Sequence, residues 1–267
     1  MCFPQSESMS INLFFHAYGS KNLPALIVLH GLFGSSDNWH TVGTVFSKHF
    51  FTLVPDARNH GRSPHDDKFD YQVMADDVVE FIHQQHLPSA SLIGHSMGGK
   101  TAMLAALQHP ERIDKLIVVD IAPRSYPPEH ELIFETLNSI DLSAMVRRTD
   151  IETKLAKRIA DDATVQLLMK NITRDEQGKF RWKINLPIIQ KNYESLNAAL
   201  PLQSTRSEKP ALFIRGEHSE YILLEDLKPI AELFPRAELV TIKNASHWVH
   251  ADAPDDFAQT ALEFLLS

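Results

Sequence analysis

Short apolar runs separated by helical spacings dominate the first 120 residues. Ile11–Tyr18, Ala25–His30, Phe51–Pro55, Ser91–Ile93 and Lys115–Asp120 are too short for ordinary helices and are rich in β-branched or large apolar residues, so they predict strands. Between them, Tyr71–His86 places Met74, Val78, Phe81 and Ile82 at i, i+4, i+7 and i+8, the spacing of an amphipathic helix. Lys100–Gln108 is built from Ala, Leu and Met with little polar surface and predicts a buried helix. Strands alternating with helices predict a mostly parallel sheet flanked by helices. Ala211–Ile214 and Glu238–Ile242 predict two more strands, and Pro254–Leu266 predicts a closing amphipathic helix that packs through Phe257, Leu262 and Leu265.

From about Ala122 to Ser207 the texture changes. The pattern is helical, with a capping-box start at Thr149-Asp150-Ile151-Glu152, an N-cap at Asp162 before Ala163–Asn171, and no strand signal. The expected organisation is an α/β core made of 1–121 and 208–267, with 122–207 inserted as a helical lid. Such an insertion sits over the carboxyl edge of the sheet, where open α/β folds bind ligands.

With 267 residues and 43% apolar content, the chain can bury one large core. Its formal charge of −8 comes from 34 acidic and 26 basic side chains spread along the sequence, so no basic face points to nucleic acid. A lone cysteine, Cys2, excludes an internal disulfide. The start, Met1–Glu7, has neither a basic nor an apolar region of a targeting peptide, and no uncharged run reaches membrane-spanning length. A soluble cytoplasmic protein is expected.

The chemistry enters at Gly94-His95-Ser96-Met97-Gly98. As a bare pattern it is weak, because Gly and Ser are common. A strand before it and a helix after it give it meaning, since a serine on so tight a turn needs small neighbours and is carried to the helix N-terminus. A serine hydroxyl becomes a nucleophile only when a base takes its proton. Of fourteen histidines, His247 is placed best, in the loop between the last strand and the last helix; His250 is its rival.

Four stretches carry a resemblance: His30-Gly31-Leu32-Phe33-Gly34-Ser35, Asp56-Ala57-Arg58-Asn59-His60-Gly61-Arg62-Ser63, Gly94–Gly99, and His247 with Asp252-Ala253-Pro254. In this order they resemble the landmark segments of the α/β-hydrolase superfamily across nearly the whole chain. The wording of the first two is similar to the YbfF-like bacterial esterases and their mitochondrial relatives, a branch associated with ester and acyl-CoA thioester hydrolysis.

The resemblance implies a Ser-His-Asp triad, and the acid departs from the superfamily's common pattern. Where an aspartate usually stands, this chain has Ser219, in Gly216-Glu217-His218-Ser219. Asp120 ends an apolar run just before the insertion, and the YbfF-like branch places its acid there, with a serine supporting the histidine. Asp120 is therefore the expected acid and Ser219 its hydrogen-bonding auxiliary, with Glu217 or Glu220 as fallback. The resemblance also implies an oxyanion hole made by the Met97 and Leu32 amides, Phe33 being an alternative to Leu32. His30 is expected to brace its loop, and Asp56 and Arg58 to organise the next one.

His83 and His86, and His65-Asp66-Asp67, lack the spacing of metal ligands. Arg147, Arg148, Lys154, Lys157 and Arg158 read as a solvated helix face, although coenzyme A phosphates could meet them. Phe134, Met145, Leu168, Trp182, Ile184, Leu186 and Tyr193 read mainly as the insertion's own core. The expected function is hydrolysis of a small-molecule carboxylic ester or thioester without cofactor or metal. A serine at 96 argues against dehalogenase and epoxide-hydrolase chemistry, which uses aspartate there. A C–C hydrolase or lyase on the same scaffold stays open, as does a non-catalytic receptor with a hydrolase-like pocket.

Overall fold

A computed structural model describes residues 11–201 and 205–267; Cys2 and Met1–Glu7 lie outside the described residues. The main sheet is formed by β1 (Phe15–Tyr18), β2 (Ala25–Leu29), β3 (Phe51–Pro55), β4 (Ala90–His95), β5 (Ile113–Val119), and, after an insertion, two further strands at Ala211–Gly216 and Ala237–Ile242. The insertion carries a small hairpin, β6 (Ile172–Arg174) and β7 (Phe180–Trp182), so the last two sheet strands are β8 and β9. The order is β1-β3-β2-β4-β5-β8-β9. β1 runs antiparallel to β3, and every other pairing in this sheet is parallel.

A parallel sheet must be covered on both faces, and its strands β2, β3 and β4 are buried along their whole length. The alternation along β2 shows how this is done. Ala25, Ile27 and Leu29 face one core, with Leu92 of β4 and Val118 of β5; Leu26 and Val28 face the other, with Ile93 and Val119. The first core is closed by α2 (Tyr71–Gln84) and α3 (Met97–Gln108), the second by α1 (His40–Phe46) and the closing helix Pro254–Leu266. Met74, Val78, Phe81 and Ile82 all lie on the buried face of α2, whose start is fixed by Asp70 accepting from the Val73 amide at 2.9 Å. α3 is buried from Met97 to Leu107.

This order creates the crevice that matters. From β2 the chain moves to β3 on one side, and from β4 it moves to β5 on the other, so the loops leaving β2 and β4 part at the carboxyl edge. Ligands bind at such a switch point.

Some boundaries differ from expectation. β1 begins at Phe15 rather than Ile11, because its partner β3 ends at Pro55 and the register closes at Phe15↔Pro55. α3 starts three residues early, at Met97, taking both Gly98 and Gly99 into its first turn. α2 stops at Gln84, and His86 takes a left-handed backbone, φ 56°.

The insertion between β5 and β8 holds α4 (Glu131–Ser139), α5 (Arg148–Ala156), α6 (Asp162–Met169), α7 (Leu186–Lys191) and α8 (Tyr193–Asn197). The β6–β7 hairpin corrects the expectation that it contains no strand. Its turn is held by the Asp175 side chain, which accepts from Gln177 and Lys179 amides, and by Gly178 at φ 77°. The caps also shift. Asp150, not Glu152, reaches back to the Arg147 amide, and Asp161, not Asp162, caps α6. Phe134, Leu168, Ile184, Leu186 and Tyr193 are buried in it, with Met145 and Trp182 partly buried.

Polar anchors tie the insertion to the core loops: Asn171 donates to the Phe33 carbonyl at 2.7 Å, and Asn185 bonds Asn59 through backbone and side chain, each at 2.9 Å. Among the described residues no helix is long and apolar enough to cross a membrane.

Candidate active site

β4 delivers its chain straight into α3, and the turn between them is one residue, Ser96. Its backbone is left-handed, with φ 53° and ψ −117°, a conformation costly for a side chain with a Cβ. The turn closes only because its flanks lack side chains. A Cβ on Gly94 would stand 2.2 Å from the Gly98 carbonyl oxygen, and one on Gly98 would stand 2.4 Å from that of Leu29. The Ser96 amide donates to Val119 at 3.0 Å, while its carbonyl accepts from Gly99 and Lys100. The hydroxyl therefore stands at the first turn of α3, where the helix presents positive potential.

Asp120 lies one residue past β5, at φ 52°, and is fully buried. The left-handed turn takes it out of the ladder and aims its carboxylate across the edge of β8. One oxygen accepts from the Gly216 amide at 3.0 Å; the other accepts from the Ser219 hydroxyl and from His247 Nδ1, the latter at 2.8 Å. Three donors converge on this one buried side chain and fix its orientation. The Ser219 hydroxyl is thus bonded to Asp120 rather than to the histidine itself. Glu217 and Glu220 are exposed, and the Glu217 carboxylate accepts from the Asn244 amide instead.

With Nδ1–H committed to Asp120, His247 keeps Nε2 for the chamber whose wall it shares with Ser96. Its ring is stacked on Tyr221, centroids 3.9 Å apart, and its carbonyl accepts from His95 Nε2 at 2.9 Å. His250 packs edge-on against His95 at 4.9 Å, but it is His247 that bonds Asp120. His250 is stacked on Trp39 at 4.0 Å, and burial, helped by nearby His247, pushes its imidazole down to about 3. Burial likewise holds His95 well below the usual imidazole range, so it is a neutral brace for the His247 backbone.

His30 braces the loop after β2 as expected. Its Nδ1–H donates to Gly31 at 2.8 Å, and its Nε2 accepts from the Ala57 amide at 2.9 Å. Asp56 holds the Ser36 and Arg62 amides, and Arg58 makes a two-bond ion pair with buried Asp77, at 2.6 and 2.7 Å. That loop brings Leu32 beside Met97 and Ser96. Among the described residues neither the Leu32 nor the Met97 amide donates to a protein acceptor.

Two chambers meet at Ser96. One, of about 50 Å³, is walled by Phe33, Ile133, Leu167, His247 and Trp248; the other, of about 40 Å³, by Tyr71, Lys100, Tyr126, Asn197 and Tyr221. His95, Lys100, His130 and Tyr221 are among the site residues the sequence reading did not single out. For Lys100 a signal existed: it is the one charged residue in the apolar run Met97–Leu107.

Three of the insertion's basic residues, Arg147, Arg148 and Arg158, are engaged within the insertion. Arg147 pairs with Asp150, Arg158 with Glu135, and Arg148 donates to the carbonyls of Met169 and Ile172. No group of three or more His, Cys, Asp or Glu able to hold a metal occurs among the described residues.

Comparison with known proteins agrees with this architecture. A solved structure described as a marine microorganism esterase superposes with a TM-score of 0.93 at 45% identity, covering 96% of this chain and all of its own. Esterase YbfF of Escherichia coli is 32% identical over 250 residues, 93% of this chain and 96% of the relative. The sn-1-specific diacylglycerol lipase ABHD11 of Danio rerio is 35% identical over 264 residues, 96% of this chain and 83% of the relative. The family described as the alpha/beta hydrolase fold matches residues 24–254, and the chain belongs to it.

Proposed function

We propose that this protein is a carboxylic ester hydrolase working through an acyl-enzyme, with Ser96 as nucleophile, His247 as general base and acid, and Asp120 as the group that orients and charges the histidine. The observation that carries the reading is the 2.8 Å bond from His247 Nδ1 to buried Asp120, on an imidazole that shares a chamber wall with a serine on a strained strand-to-helix turn. Relatives named as an esterase and a lipase support it.

In this reading the Ser96 oxygen adds to the ester carbonyl while its proton passes to His247 Nε2. The imidazolium is stabilised by Asp120, which the Gly216 amide and Ser219 hydroxyl keep in place. The oxyanion is received by the Leu32 and Met97 amides, fixed before substrate arrives. As the tetrahedral adduct collapses, His247 returns the proton to the leaving alkoxide. Water then enters, His247 takes its proton, and the same steps in reverse release the acid and restore Ser96. Thioesters fall within the same chemistry, because the carbonyl is attacked identically and thiolate leaves readily. The insertion serves as a lid, with Tyr126, His130, Leu167 and Asn197 on the chamber walls.

A panel crossing acyl length with alcohol, thiol and amine leaving groups tests this. Chambers of about 40 and 50 Å³ hold short arms, so p-nitrophenyl esters from acetate to hexanoate should turn over at least about tenfold faster than the palmitate, each missing contact costing transition-state binding. Thioesters should be cleaved and amides barely. Absence of turnover on every ester, with C–C cleavage of a β-diketone or no catalysis at all, would refute the proposal.

A further inference from the structure

One chamber beside Ser96 holds a cation that the ester chemistry above does not use. The Lys100 amide donates to the Ser96 carbonyl at 3.1 Å, which puts Lys100 one helical turn beyond the nucleophile and on its face of α3. The residue is 1% exposed. Its ammonium donates to the Ala198 carbonyl at 2.6 Å, with the rings of Tyr71 and Tyr126 at 5.4 and 4.9 Å. An ammonium has three donors, and among the described residues none that lines this chamber carries a carboxylate. The acids that act on the neighbouring tyrosines are occupied: Asp226 pairs with Arg124 at 3.1 Å, Glu129 accepts from Tyr221 at 3.2 Å, and Asp120 is bonded to His247 and Ser219. A cation withdrawn from water without an anion is costly. Kept in a cavity against a nucleophile, it marks a binding position.

We propose that Lys100 binds a carboxylate on the substrate itself, so that this enzyme prefers esters whose arm in the Tyr71–Tyr126 chamber ends in a carboxylate, roughly three or four atoms from the scissile carbonyl. The inference rests on the ester-hydrolase reading and names a substrate class for it. The chamber gives the carboxylate a charge-assisted donor and aromatic walls that exclude water, conditions in which such a bond is strongest.

The ionisation of the chamber makes the preference depend on pH. Burial, with Arg124 nearby, lowers the Lys100 ammonium to about 7. Around it, burial raises the phenols of Tyr71, Tyr126 and Tyr221, and burial with nearby His247 pulls His130 down to about 4. Between about pH 5.5 and 8.5 Lys100 is therefore the chamber group that changes charge, while a substrate carboxylate stays ionised. His247 is common to all substrates and cancels in a ratio of kcat/KM values. The lysine is cationic below about 7 and neutral above it, so the preference is full near pH 6 and fades as pH rises; kcat/KM reports the free enzyme, before the anion is bound.

Two matched pairs of esters on the full chain test this. For the acyl arm, p-nitrophenyl hemiglutarate is compared with its neutral isostere p-nitrophenyl 5-methylhexanoate. For the alcohol arm, the butyryl ester of 4-hydroxybutanoate is compared with 4-methylpentyl butyrate. In one pair the carboxylate ester should be preferred about 10-fold or more in kcat/KM at pH 6. Most of that preference should be gone by pH 8.5 and, at pH 6, in Lys100→Met. Hydrolysis of the neutral esters with no carboxylate preference in either pair overturns this inference alone, as does a preference that is flat in pH or survives in Lys100→Met. No hydrolysis of any of the four esters overturns both this and the ester-hydrolase reading. The wild-type pH profile decides the matter even if Lys100→Met fails to fold.

Discussion

Ser96→Ala is expected to lower kcat/KM on a short p-nitrophenyl ester by about 10⁴- to 10⁶-fold while leaving the melting temperature within a few degrees of wild type. The size follows from losing the covalent route altogether, so that only the aligned amides and binding remain to help water attack. The small stability change follows from the backbone. Alanine at φ 53° carries the same Cβ strain as serine, and among the described residues the serine side chain makes no capping hydrogen bond that could be lost. Steady-state kinetics beside a thermal melt separates the two effects. A residual rate within tenfold of wild type would mean that another group performs the attack.

Asp120→Asn should cost about 10³- to 10⁴-fold in kcat, the second largest effect expected. The carboxylate accepts three hydrogen bonds, from the Gly216 amide, the Ser219 hydroxyl and His247 Nδ1–H. An asparagine accepts on one side only. If its oxygen keeps the Gly216 amide, its NH₂ faces His247, which must then present an unprotonated Nδ1 and carry its proton on Nε2. That tautomer cannot take a proton from Ser96. Glu217→Gln and Glu220→Gln, both exposed, should stay within about twofold, because screened surface charges act weakly at a distance. A reversed ranking would move the acid to one of those glutamates.

How much of this could be read in the sequence depends on how local each cause is. β2, β4 and α2 were legible because a buried parallel strand and a half-buried helix each leave a periodic mark within a few residues. Ser96 was legible because the steric demand of its turn falls on Gly94 and Gly98, two residues away. Asp120 and Ser219 were reached through resemblance; their bond joins positions 99 residues apart, for which no spacing along the chain gives a signal. The β6–β7 hairpin escaped because strands of three residues are too short to show an alternation. The caps of α5 and α6 slipped because neighbouring polar residues offered two registers.

Lys100 escaped for a different reason: a lysine in an apolar helix reads as a residue that snorkels to water. Only the packing of α2 and of the segment around Ala198 shows that it does not reach water.

The most direct test of the central claim is labelling with a fluorophosphonate, which phosphonylates a serine activated as nucleophile, followed by intact mass and peptide mapping. The expected result is one adduct per chain, on the peptide containing Ser96, formed much more slowly in Asp120→Asn and absent in Ser96→Ala. An adduct on any other serine, or none on active wild-type protein, would contradict the account.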